Sequence, residues 1–145
     1  MLAVSIERDK MIEALNEHVV PVLRERGFKG SFPHFRRKAA TKIHLLTIQF
    51  DKHGGGFTIE IAVGPVSGLA GPNGTHLAPT EMTAWHSHPE QRLRLGGTTG
   101  KTDHWFRFDS KGIIPFQDPY AKAARAALPY LDRQAEPWWN KTVPH

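Results

Sequence analysis

The sequence predicts an α+β domain: an antiparallel sheet of about five strands with an N-terminal and a C-terminal helix packed on one face. Three observations predict it. Residues 43–63 hold two runs of alternating apolar and polar side chains joined by a glycine-rich turn. Residues 7–27 repeat apolar side chains at helical spacing, and residues 118–134 open on the Asp-Pro pair that starts a helix. The 145 residues are read as a single domain, 1–145, long enough to bury one core.

The first segment, "ERDKMIEALNEHVVPVLRERG", places Met11, Ile12, Leu15, Val19, Val22 and Leu23 on one helical face. Ser5 or Asp9 is the expected cap and Gly27 the expected terminator. Pro21 removes the bond to the Glu17 carbonyl and predicts a kink. "FKGSFPHFRRK", residues 28–38, reads as an edge strand, the position that tolerates Pro33.

The central hairpin carries its own register test. Leu46, Ile48 and Phe50 alternate with polar neighbours, as do Phe57, Ile59, Ile61 and Val63. Placing Phe50 opposite Phe57 sets Ile48 against Ile59 and Leu46 against Ile61. A slip of one residue breaks the whole apolar face. Parity therefore favours a two- or four-residue loop over three. The "HGGG" at 53–56 reads as this turn; an esterase-type oxyanion loop needs a nucleophile elbow, and "GPVSG" has the wrong spacing.

Residues 64–90 show no periodicity and read as a long loop, which in a compact domain is either functional or mobile. "QRLRL" and "HWFRFD" alternate as strands, joined by "GGTTGKTD". Leu93 and Leu95 share one face, Arg92 and Arg94 the other. The last helix takes Asp118 as cap and Pro119 as first residue. The tail "EPWWNKTVPH" brings Trp138 and Trp139 back onto the body.

Composition narrows the chemistry. The absence of cysteine excludes disulfides, thiolate nucleophiles and cysteine-ligated zinc. No apolar run approaches a membrane span, and "MLAVSIERDK" lacks a secretory leader, so the expected compartment is the cytoplasm. Lys and Arg total 19 against 14 Asp and Glu, a balance that favours anionic partners.

One short motif points to metal. "HSHP", His86 to Pro89, opens the pattern of JAMM metalloproteases, in which two imidazoles and an aspartate hold zinc. Continuing that pattern puts Gly96 at its serine and Thr99 at its aspartate, and neither supplies the missing group. His86 and His88 thus define an alternative reading, a zinc-dependent hydrolase, that needs a third ligand from elsewhere. A further alternative is nucleic-acid binding through Arg36, Arg37, Lys38 and Lys42 of "RRKAATK".

A broader likeness spans the chain from about Met11 to Leu131. The helix ending in "RGF", the following "FRR", then "HLLTIQFDKHGGGFTIEIAV" and "RLRLGG…DHWFRFD" resemble a bacterial family, the domain of unknown function 4304 family. The pattern positions carried over are Gly27, Phe28, Arg37, Gln49, Gly56, Phe57, Arg92, Leu95, Asp103 and Trp105. Phe106 stands where the family often has a second tryptophan. The resemblance implies a compact α+β domain and brings no established activity.

The candidate ligand-binding residues are Arg37, Gln49, Glu60 and Arg92. Strand parity puts Gln49 and Glu60 on the polar side of the hairpin as diagonal neighbours. The two arginines join them if their strands flank it. Such a cluster can hold a carboxylate or phosphate by bidentate donation. No complete catalytic constellation and no cofactor motif accompanies it. The leading expectation is a non-catalytic cytoplasmic domain that binds a protein partner or a small anionic ligand.

Overall fold

The computed structural model describes residues 2–97, 104–109 and 118–144. Two helices open the chain, α1 at Leu2–His18 and α2 at Val20–Glu25. Pro21, unable to donate a hydrogen bond, stands in the first turn of α2, and the break between the two helices falls just ahead of it. The first helix begins ahead of Ser5 and Asp9, so neither caps it. Met11, Leu15, Val19 and Leu23, four residues apart, form a buried stripe that runs from α1 across the break into α2.

Gly27 closes α2 with φ +92°. The Phe28 N–H reaches the Leu23 carbonyl at 3.0 Å and the Gly27 N–H reaches that of Arg24 at 3.0 Å. These two bonds and the left-handed glycine make a Schellman end, with Phe28 packed back into the core.

Six antiparallel strands follow: β1 Lys29–Ser31, β2 His34–Lys38, β3 Lys42–Phe50, β4 Gly56–Pro65, β7 Arg92–Arg94 and β8 Phe106–Arg107. Their order is β1-β2-β3-β4-β7, with β8 also paired to β4. The segment expected as one edge strand is a hairpin of two, β1 and β2, turning at Phe32 and Pro33. Phe50 faces Phe57, Ile48 faces Ile59 and Leu46 faces Ile61, the register the alternation predicts. The Asp51 N–H bonds the Gly56 carbonyl at 2.9 Å and closes a four-residue loop. Gly54 and Gly55 occupy it at φ +88° and +83°, where a side chain would be strained.

One face of the sheet holds Phe35, Leu46, Ile48, Phe57, Ile59, Ile61 and Leu93, and all the longer helices cover it. The last of these run as α3 Pro119–Ala126, α4 Leu128–Tyr130, a π-helical turn Leu131–Ala135, and α5 Glu136–Lys141. Asp118 caps α3 by accepting from the Tyr120 and Ala121 N–H groups at 2.9 and 3.2 Å. The tail is helical through Lys141. Trp139 is fully buried, and its indole N–H is shared between the carbonyls of Ala62 (3.1 Å) and Leu45 (3.3 Å).

The second face is not left open. Residues 66–91 fold over half of it as a two-stranded ribbon, β5 Leu69–Ala70 with β6 His76–Leu77, and a series of short 3-10 turns. Ile43, Leu45 and Ala62 project to this side and form a second, smaller core with Met82 and Ala84. Leu45 has Leu46 as its neighbour on the other side, so β3 needs apolar cover on both faces at this end. The long segment supplies that cover. The "GGTTGKTD" link, with Thr99 and Asp103, lies largely outside the described residues.

Candidate functional site

The other half of the second face is polar. Glu60 stands opposite Arg94 in the pairing of β4 with β7, and Arg92 stands opposite Ala62. The Glu60 carboxylate therefore lies between two guanidinium groups: Arg94 Nε at 2.8 Å from one oxygen and Arg92 Nη1 at 3.2 Å from the other. Glu60 is only 6% exposed. A carboxylate removed from water needs such partners to remain charged without a large penalty.

Arg94 extends the array along the sheet. Its terminal nitrogens donate to the Thr58 hydroxyl and, at 3.4 Å, to the Gln49 side-chain oxygen. The structure thus sets Gln49, Glu60 and Arg92 on one face: Arg92 touches Glu60, and Gln49 is linked to them through Arg94, with Thr58 alongside. Arg94 was legible as the residue sharing a face with Arg92; Thr58 was legible as the cross-strand partner of Gln49. Among the described residues, Glu60 is the sole hydrogen-bond partner of the Arg92 guanidinium, whose side chain is part-exposed. Among the described residues, two guanidinium groups flank this one carboxylate.

Arg37 does not join them. It pairs with His44 across β2 and β3, and both point to the helix-covered face. The physical reason is parity: Phe35, two residues earlier on the same strand, is buried in the main core, so Arg37 follows it to that side. Every arm of its guanidinium is used internally. The terminal nitrogens meet Glu136 at 2.5 and 3.2 Å, one of them also reaches the Arg26 carbonyl at 3.2 Å, and Nε donates to His44 Nδ1 at 3.0 Å. The Phe28 and Trp139 rings lie against the guanidinium at 4.7 and 5.1 Å.

This inner cluster also perturbs its titrating members. Burial pushes His44 down to about 4, helped by the charges of Arg37 and Lys42 and opposed by Glu136. Burial alone would raise the Glu136 carboxyl; hydrogen bonds and charge from Arg37 and Arg26 outweigh it and hold it below its ordinary value. His44 accepts at Nδ1, so its proton sits on Nε2, which is buried without a partner among the described residues.

The histidine motif falls in two turns of the covering segment. His86 Nδ1 accepts from the Thr83 N–H at 2.9 Å, and His88 Nδ1 from the Glu90 N–H at 3.4 Å. Between them Ser87 is buried and donates to the Val63 carbonyl at 2.8 Å. Among the described residues no group of three histidine, aspartate or glutamate side chains gathers where it could hold a metal ion. The basic run is also divided. Arg36 and Arg37 project to opposite faces, and Lys42 Nζ donates to the Asn140 and Thr142 carbonyls at 3.0 and 2.8 Å.

A family model described as a domain of unknown function (DUF4304) matches residues 19–141. The chain belongs to this family. No curated protein and no solved structure matches it. The DUF4304 match runs from the break before α2 to the last residue of α5. It therefore takes in the whole sheet, the smaller core and both arginine clusters, and leaves out only the α1 side of the main core, Met11, Ala14 and Leu15. Several positions that carry the DUF4304 resemblance build the fold: Gly27 and Phe28 end α2, Phe57 and Leu95 are buried, and Arg37 ties β2 to α5. Gln49 and Arg92 are different, because both belong to the polar half of the second face. Among the described residues no helix is long and apolar enough to cross a membrane.

Proposed function

We propose that this DUF4304 domain is a non-catalytic binding module of the cytoplasm. It takes an anionic group, from an acidic protein partner or a small anion, at Gln49, Glu60, Arg92 and Arg94. The observation that carries the reading is the bracing of Arg92. Glu60 holds one edge of its guanidinium, and the other N–H groups have no partner among the described residues. A guanidinium fixed on one side by a buried carboxylate loses little freedom when a second carboxylate or phosphate docks on its free edge. Gln49, exposed on the same face and bonded to Arg94, offers a second polar contact farther along the sheet.

Chemical-shift mapping on the full chain with a glutamate-rich peptide and with inorganic pyrophosphate tests this. The reading expects saturable shifts centred on Gln49, Thr58, Glu60 and Arg92 to Arg94, weakening as salt rises. Shifts centred on the 86–90 turns instead, or none at this half-face, contradict it.

A further inference from the structure

At the opposite flank of the second face, β1 and β2 meet the turn at 79–82 in a cleft of about 380 Å³. Lys29, Gly30, Arg36, Lys38, Ile43, Pro79 and Thr80 line it. That volume lies within the range of small-molecule sites. We infer that this cleft binds a small amphipathic anion, its carboxylate or phosphate head held by Lys29, Arg36 and Lys38 and its apolar body laid on Ile43 and Pro79. The inference is independent of the reading above, since Arg92 sits across the sheet on β7.

Three observations carry it. The first is register. Lys29 stands directly opposite Arg36, and Lys38 opposite Ile43, so three cations and one apolar side chain share a single small area of one face. Like charges set directly across paired strands repel, and an anion between them removes that cost. Among the described residues neither Lys29 nor Lys38 has a salt bridge, and no acidic side chain lines the cleft. Glu81, on the covering turn, acts electrostatically on Arg36.

The second observation is that Arg36 is anchored. Its Nε donates to the Met82 carbonyl, which ties the cleft floor to the covering segment and aims the rest of the guanidinium along the cleft. The third is space. Gly30 lines the cleft at φ +103°, and a side chain added there would come within 3.1 Å of an Arg36 terminal nitrogen and 2.5 Å of the His34 carbonyl oxygen. Glycine keeps this wall open. The methylene stems of Lys29 and Lys38 add apolar surface beneath their charged heads.

The test is a two-dimensional NMR titration of the full chain with four probes: hexanoate, hexyl phosphate, hexanol and inorganic phosphate. We expect saturable binding of at least one amphipathic anion, with shifts at Lys29, Gly30, Lys38, Ile43 and Thr80. Hexanol and inorganic phosphate should each bind at least about tenfold more weakly, because each supplies only half of the recognition. Which of the two anions binds more tightly distinguishes a carboxylate from a phosphate ligand. The exposed pair Lys29→Ala/Lys38→Ala should weaken binding by about tenfold or more with the thermal midpoint unchanged. Arg92→Ala should leave this binding intact. Hexanol binding as tightly as both anions, shifts confined to other regions, or no saturation by either anion up to about 10 mM would each overturn the inference. In the last case the lysines serve only to block strand addition at the β1 edge.

Discussion

Arg37 and Glu136 meet fork to fork, two guanidinium nitrogens against two carboxylate oxygens at 2.5 and 3.2 Å, across 99 residues of chain. This pair fastens α5 to β2, and Arg26 joins it at 3.4 Å from the end of α2. Three separate elements are thus held at one point beneath the sheet.

Removing one half of that pair leaves the other charge poorly solvated. Arg37→Ala should lower unfolding free energy by about 2–3 kcal/mol, under the figure for a fully buried pair because water still reaches both side chains. Arg37→Lys should recover little, since an ammonium cannot span both carboxylate oxygens, His44 and the Arg26 carbonyl together. Urea denaturation of the two variants measures this. Recovery of full stability by lysine contradicts the fork geometry.

Acid should weaken the fold in two stages. His44 is neutral in both states above its ordinary 6.5. Below that, the unfolded chain takes up a proton that the folded chain refuses until about pH 4, so stability falls as pH drops through this window. The loss is on the order of 3 kcal/mol. Glu136 contributes above its ordinary 4.5, and its contribution fades as pH falls further through its depressed folded value. His44→Gln keeps an acceptor for Arg37 and should flatten the decline between pH 6.5 and 4, read from urea midpoints.

The hairpin and the arginine pair differ in how readable they were. Register, turn length and the helix-covered face followed from alternation because the stretches 46–50 and 57–61 that flank the turn alternate without interruption. Arg37 was misassigned because arginine suggests an outward position, whereas Phe35 at the same parity is fully inward. The buried carboxylate and its guanidinium neighbours are a contact between distant segments, and single-strand patterns carry no trace of it. Residues 66–91 hide their role for another reason: 3-10 turns have no long period, so apolar Met82 and Ala84 give no repeating signal of the small core they complete. On the polar half-face, parity was enough to set Gln49, Glu60 and Arg92 on one side of the sheet.

Ile59 is fully buried in the middle of the helix-covered face. Ile59→Ala should cost about 2–5 kcal/mol, the range for truncating a large core side chain. A cost below about 1 kcal/mol in equilibrium denaturation would show that the strand is not packed between sheet and helices as described.

Arg94 and Arg92 should separate in their effect on stability. Arg94 is the closer partner of the buried Glu60 and also holds Thr58 and Gln49. Arg94→Ala should destabilise by about 2 kcal/mol, because the carboxylate keeps only a single, longer contact. Arg92→Ala leaves Arg94 in place and should cost no more than about 1 kcal/mol. Equal costs for the two would place the Glu60 bracing elsewhere.

The most direct measurement compares two arginines in one experiment. Wild type, Arg92→Ala and Arg37→Ala are each titrated with the glutamate-rich peptide and each unfolded in urea. The account predicts that Arg92→Ala weakens binding by about tenfold while its midpoint stays near wild type. It predicts the reverse for Arg37→Ala: a large loss of stability, and unchanged affinity at temperatures where the variant remains folded. Undiminished binding by folded Arg92→Ala, or binding lost only with Arg37→Ala, would contradict an anion site on the second face.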